Sequence, residues 1–198
     1  TALNTLSLHD ALPISSQWSK DSDVLLHEKL EEIKVYGLQT GPLSVQVKEV
    51  GEEDWANAWK QYYFPVRVTR FLTVVPSWVD YEKEQDDELL IELDPGLAFG
   101  TGTHPTTQLS LTALEQTIRG NESVLDVGTG SGVLSIASKL LGASKVTAFD
   151  IDEMATRVAK ENIALNPTIG EIEVYENNLL VGVDQKSDLI VANILAEI

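Results

Sequence analysis

The residue types best suited to chemistry are concentrated in Val124-Leu125-Asp126-Val127-Gly128-Thr129-Gly130-Ser131-Gly132. An apolar strand runs into a glycine turn and then into a helix. Glycine lets the backbone turn tightly and brings N–H groups close to a ligand, with the positive helix end facing it. Gly128 and Gly130 are therefore candidate cofactor contacts. The spacing departs from the dinucleotide fingerprint G-x-G-x-x-G, because the third glycine comes one residue early, at Gly132, and Val133 takes the fingerprint position. Asp126, just before the turn, would crowd a pyrophosphate. It can instead help receive the cationic amino-acid end of S-adenosyl-L-methionine, directly or through water. Asp150 closes the next strand about twenty residues after the turn, where an acid accepts hydrogen bonds from ribose hydroxyls. An acid at a strand end also serves as a helix cap, but Asp152 is better placed for that. Turn and acid together favour a nucleoside cofactor, and S-adenosyl-L-methionine over a nicotinamide.

Three further segments belong near the same crevice. Asn193-Ile194-Leu195 follows the fourth strand, and open parallel sheets bind ligands beyond the carboxyl ends of their strands. Asn193 is thus a candidate for the reactive end, orienting an attacking amine through a carbonyl, or else an Asn satisfying local backbone. Asn177-Asn178-Leu179 follows the third strand and either reads an adenine edge or serves turn chemistry. The segment Leu93 to Thr107, with Gly, Thr and Pro throughout, is a shaped loop leading into a helix that starts near Thr106. Phe99 is placed to shield a pocket and Thr107 to hydrogen-bond the ligand. The loop lacks the Gly-Lys-Ser/Thr ending of a triphosphate-binding loop. His104 has no second metal-type ligand at suitable spacing, so it reads as structural and no metal is expected.

These residues need elements to position them. Asp21 to Tyr36 predicts a helix, with Leu26, Leu30 and Ile33 at three- and four-residue steps. Leu43 to Val50 alternates as a strand, and Asp54 to Tyr63 predicts a second helix with its aromatics on one side. Strands follow at Val66 to Val68 and Phe71 to Val75, closed by Pro76. Asp80 to Glu88 lacks apolar periodicity and predicts an exposed acidic linker. Strands at Leu89 to Leu93, Ser123 to Val127, Lys145 to Asp150, Ile172 to Tyr175 and Asp188 to Ala192 then alternate with helices at Gly132 to Leu141 and Glu153 to Leu165. That alternation implies βαβ units, a parallel sheet and an α/β fold.

Composition narrows the function classes. The 198 residues carry 14 Lys+Arg against 31 Asp+Glu, for a net charge of −17. This disfavours a surface that grips nucleic-acid phosphates. No apolar run approaches the ~20 residues that span a bilayer, and the absence of Cys excludes thiol chemistry. Thr1 to Ser16 fits neither a secretory signal nor a transit peptide. Its run Ser7 to Ile14 is similar to translated sequencing-adapter read-through, so residues 1–16 are expected to be non-native.

The loop FGTGTHPTT, the turn VLDVGTGSG, the strand end FDID and the tetrapeptide NILA, in this order, resemble the ribosomal-protein-L-eleven methyltransferase (PrmA) family. EEDWANAWKQYYFPVRV and TVVPSWVDY resemble its interdomain region. The resemblance implies a class I, Rossmann-like methyltransferase domain behind a small α+β substrate-recognition domain. It implies methyl transfer from S-adenosyl-L-methionine to lysine and N-terminal amines of a basic large-subunit ribosomal protein, by a cytoplasmic monomer. By motif position Thr107, Gly128, Asp150 and Asn193 match the family's cofactor contacts. The expected organisation is a partial recognition domain over 17–50, an interdomain helix, strands and linker over 51–88, and a C-terminally truncated methyltransferase domain over 89–198. Two alternatives stay open: a methyltransferase for another amine or amide acceptor, and an inactive cofactor-binding fragment.

Overall fold

The structure, a computed structural model, describes residues 63–94 and 104–194, with Val24, residues 27–29, Lys60 and Gly102. The chain divides into two compact units, Thr1–Asn57 and Ala58–Ile198. In the first, Val24 and residues 27–29 are helical, within the helix expected over Asp21 to Tyr36. The expected Leu43 to Val50 strand and residues 1–16 lie outside the described residues. So does most of the Asp54 to Tyr63 helix, of which Lys60 sits in a 3₁₀ turn and Tyr63 in no regular element.

The second unit holds two sheets. Strands β1 (Val66–Arg67), β2 (Leu72–Pro76) and β3 (Leu89–Leu93) form the first. β1 is antiparallel to β2, and β3 parallel to it, with Leu72 opposite Leu89. The second comprises β4 (Ser123–Val127), β5 (Lys145–Asp150), β6 (Glu173–Glu176) and β7 (Leu189–Ala192), all parallel in the order β6-β5-β4-β7. The central strands β4 and β5 are buried along most of their length. That accounts for their near-continuous apolar runs, whereas the edge strand β7 alternates in exposure. β6 begins at Glu173, one residue later than expected; element ends are the least well defined part of a pattern.

Helix α1 (Pro105–Thr117) starts on a proline, suited to a first helical turn whose N–H groups have no intrahelical partner. It turns Thr107, Leu111, Leu114 and, just beyond its end, Ile118 inward at helical spacing. Helix α2 (Val133–Leu140) is buried continuously from Val133 to Ser138, because it packs against β3, β4, β5 and α1. Helix α3 (Glu153–Ala164) covers β5 and β6, and a 3₁₀ turn, Pro167–Ile169, follows it. Leu72, Ile91, Leu111, Leu125, Ile136 and Val146 centre the core, each stabilising the fold by about 1.5–3 kcal/mol through burial.

One expectation is corrected. Residues 82–87 are exposed, as a linker would be, but Glu88 at the end of that segment is completely buried. Its carboxylate accepts hydrogen bonds from the Thr73 hydroxyl, from Tyr81 Oη at 3.0 Å and from the Glu84 N–H at 2.7 Å. Burial alone would raise its pKa. The hydrogen bonds and the Arg67 charge outweigh that and hold it below the usual carboxylate value. Glu88 thus pins the crossover from β2 to β3 rather than belonging to a free linker.

Candidate functional site

The order β6-β5-β4-β7 means that the chain steps outward from β4 to β6, then returns to the other side of β4. Beyond the carboxyl ends of β4 and β7 it therefore leaves a topological switch point, where open α/β sheets take ligands. Register decides which residues meet there. Val127 lies opposite both Phe149 and Ala192, so Gly128, Asp150 and Asn193 reach the rim at one level. Beyond the strand ends the Ile194 side chain packs onto the turn: a Cβ on Gly128, at φ 73, would stand 2.4 Å from Ile194 Cγ2.

The turn is tied to the end of β5. Gly128 and Thr129 N–H both donate to the Phe149 carbonyl, at 2.8 and 3.0 Å, and Gly130 N–H donates to Asp150 Oδ2 at 2.8 Å. The N–H groups that the sequence pattern aims at a ligand are thus engaged within the protein. Gly132, in the left-handed region at φ 83, forms the N-cap of α2 without a side-chain capping bond. Asp150 Oδ1 accepts from Asp152 N–H at 3.1 Å. A carboxylate offers about four acceptor positions, so Asp150, half-buried at the rim, retains capacity for hydroxyl donors. Asp152 caps α3 through Met154 N–H at 2.8 Å, as its position predicts. Beside Asp150, Ile151 is 67% exposed and presents an apolar surface.

Asp126 lies beneath the turn and is completely buried. Its Oδ2 accepts from Thr129 Oγ1 and Ser135 Oγ, each at 2.7 Å, while Oδ1 has no hydrogen-bond partner. Burial raises its pKa; the Ser135 and Thr129 hydrogen bonds oppose this incompletely, and the Asp150 charge adds to the rise. Thr129 and Ser135 are partners that sequence reasoning missed. The signal for them is hydroxyls inside an otherwise apolar turn and helix.

Thr107 and Asn193, 86 residues apart, meet at the rim: Asn193 Nδ2 donates to the fully buried Thr107 Oγ1 at 3.4 Å. His104 caps α1 by accepting from Thr106 N–H through Nδ1 at 3.3 Å. Asn177 spends its amide on the Leu179 and Val181 carbonyls, which is turn chemistry. Phe99 and most of the loop before His104 lie outside the described residues. Among the described residues no three His, Cys, Asp or Glu gather as a metal site, and no helix is long and apolar enough to cross a membrane.

The ribosomal protein L11 methyltransferase (PrmA) family matches residues 1–198. The chain is 58% identical over 173 residues to a ribosomal protein L11 methyltransferase of Enterococcus faecalis, covering 87% of this chain and 55% of that one. To the Streptococcus thermophilus protein of that name it is 52% identical over 194 residues, with 96% and 61% covered. The chain therefore spans little more than half the length of these relatives. A crystal structure of ribosomal protein L11 methylase from Lactobacillus delbrueckii subsp. bulgaricus superposes with a TM-score of 0.64 at 48% identity, covering 68% of each chain. The α/β architecture is accordingly the Rossmann-like methyltransferase fold, and the chain belongs to the ribosomal protein L11 methyltransferase (PrmA) family.

Proposed function

We propose that this chain supplies the cofactor-holding half of an enzyme that methylates lysine and N-terminal amines of a large-subunit ribosomal protein, number eleven. The observation that carries the reading is the convergence of Gly128, Asp150 and the Thr107–Asn193 pair at the switch point of the parallel sheet. S-adenosyl-L-methionine, when bound, supplies a methyl group on a sulfonium that is already activated for displacement. Asp150 would accept the ribose hydroxyls with the acceptor positions left free by Gly130 and Asp152. Gly128 and Gly130 would form the floor, both at a positive φ that glycine adopts without strain. Asp126, fully buried with one unpartnered oxygen, would act on a cationic ligand group from beneath the turn, through its field or through water.

Asn193 would orient the acceptor amine by its carbonyl, while its Nδ2 remains on Thr107. Alignment is the main contribution left to the protein. A lysine amine has a pKa of about 10.4, so its free form costs roughly 4–5 kcal/mol at neutral pH. Desolvation at the rim lowers that cost, and the proton leaves to water. The net charge of −17 would steer a basic ribosomal protein toward the enzyme. In the same reading, residues 17–50 belong to the substrate-recognition domain, 51–88 join it to the methyltransferase domain beginning at residue 89, and the enzyme works as a cytoplasmic monomer without gripping nucleic acid.

The test has two arms. Urea unfolding of this chain with and without S-adenosyl-L-methionine should show ligand stabilisation, about 2.7 kcal/mol at a hundredfold excess over Kd. Radiolabel transfer by the chain extended to the length of its relatives should go to a basic ribosomal protein and not to DNA. Absence of stabilisation refutes the cofactor assignment, and labelling of DNA refutes the acceptor class.

A further inference from the structure

Behind the glycine turn, α3 presents a stripe of residues that no ligand-facing role explains. Ala159 is completely buried against Gly132, on which a Cβ would come 3.3 Å from Ala159 Cα. Three residues on, Asn162 is 1% exposed. Its Nδ2 donates to the Ser131 carbonyl and its Oδ1 accepts from Asp94 N–H, both at 2.8 Å. One turn further, Asn166 treats the free edge of β3 as a neighbouring strand would. It accepts from Glu92 N–H at 3.0 Å and donates to the Glu92 carbonyl at 2.8 Å. It also donates to the Asn162 carbonyl at 2.8 Å.

Burying an amide is costly unless every polar atom is matched, and an aliphatic residue would fill the same space without that requirement. What the amide adds is geometry. Ser131 lies between Gly130, whose N–H reaches Asp150, and Gly132, which starts α2. The Ser131 carbonyl belongs to the Ser131–Gly132 peptide, so holding it fixes the entry into α2 and restrains the short backbone that leads back to Gly130 N–H. Holding Asp94 N–H at the other end of the same side chain sets the end of β3 against the turn.

We propose that Asn162 is a positioning residue for the cofactor turn: its amide locks the Ser131 peptide, and through it the Gly130–Asp150 contact, in the geometry that receives the cofactor. The effect on affinity rests on the cofactor reading above; the mechanical link does not. A loosened Ser131 carbonyl gives the backbone between Gly130 and Gly132 more freedom and so weakens the Gly130 N–H contact with Asp150.

The experiment compares this chain with Asn162→Ala, Asn162→Asp and Asn166→Ala. Calorimetric titration with S-adenosylhomocysteine reads affinity, hydrogen exchange reads the Gly130 amide, and thermal unfolding reads stability. Asn162→Asp keeps an acceptor for Asp94 and, while ionised, offers Ser131 no donor, at the added cost of a buried charge; exchange at the Gly130 amide reads the turn contact in whichever variant folds. Both Asn162 variants should bind roughly tenfold more weakly or worse and exchange Gly130 faster. Asn166→Ala should lose thermal stability while its affinity stays within about threefold of the parent. Unchanged Gly130 exchange in the Asn162 variants overturns the proposal, as does an equal affinity loss in Asn166→Ala, which would make the effect one of general stability. If the parent chain itself does not bind S-adenosylhomocysteine, the cofactor reading fails, and Gly130 exchange alone decides the link.

Discussion

Replacing Gly132 by alanine tests how closely α3 backs the turn, and Gly120 provides the internal reference. Both glycines have positive φ, 83 and 108. An added Cβ at Gly120 meets nothing within 4 Å. Its cost is therefore the backbone conformation alone, roughly 1–2 kcal/mol for an L residue at positive φ. At Gly132 the same atom stands 3.3 Å from Ala159 Cα and 3.5 Å from its carbonyl oxygen. These atoms belong to the backbone of α3 on its buried face and cannot rotate away as a side-chain tip would. Overpacking of that kind adds about 1–3 kcal/mol, for a total of roughly 2–5 kcal/mol. Against a typical stability of about 5–15 kcal/mol the loss is readily measured. Urea unfolding of the two variants, with unchanged m-values as the check on a common transition, should show Gly132→Ala the less stable by at least about 1 kcal/mol. Equal losses would refute the close approach of α3 to the turn, and with it one support for the role given to Asn162.

Three further predictions follow from the buried acids and the rim pair. Burial holds the folded-state pKa of Asp126 above its unfolded value, so the stability linked to its proton is full below the unfolded pKa and lost as pH rises through the folded one. Asp126→Asn should therefore be more stable than the parent at neutral pH, with the gain shrinking on acidification, and should bind S-adenosyl-L-methionine more weakly; a pH-independent gain in urea titrations would contradict this. Glu88 is the opposite case: its depressed pKa gives stability present above the unfolded pKa and lost as pH falls through the folded value. Glu88→Gln should cost about 1–3 kcal/mol at neutral pH by placing an amide donor among donors, a difference that unfolding at acid pH should show diminished. In the chain extended to the length of its relatives, Asn193→Ala should lower turnover on the order of 10–100-fold with a smaller change in cofactor affinity; unchanged single-turnover rates would remove Asn193 from amine orientation.

The glycine turn, the acid ending the next strand and the alternation of strands with helices are local patterns, and local chemistry is sufficient to write them. Glycine is demanded where φ is positive, as at Gly128, Gly130 and Gly132. Near-continuous apolar runs are demanded where a strand is buried on both faces, as in β4 and β5 apart from Asp126 and Thr147. Asp150 and Asn193 were legible for the same reason, since each directly ends or follows such a run. Long-range meetings left no comparable mark. Nothing within a few residues of Asn162 or Asn166 shows that each will find its partners on β3 and in the turn, and Glu88 at the end of an acidic stretch reads as solvated until Thr73 and Tyr81 are brought to it. The fate of the turn N–H groups was also undecidable, because their acceptors, the Phe149 carbonyl and the Asp150 carboxylate, belong to another strand. Sequence alone therefore determined the class of fold and where the glycine turn, Asp150 and Asn193 fall at the ends of its strands. Only the tertiary structure decided how those residues are held, because a buried polar group is stabilised by whichever partner the folded chain delivers to it, however far away in sequence that partner lies.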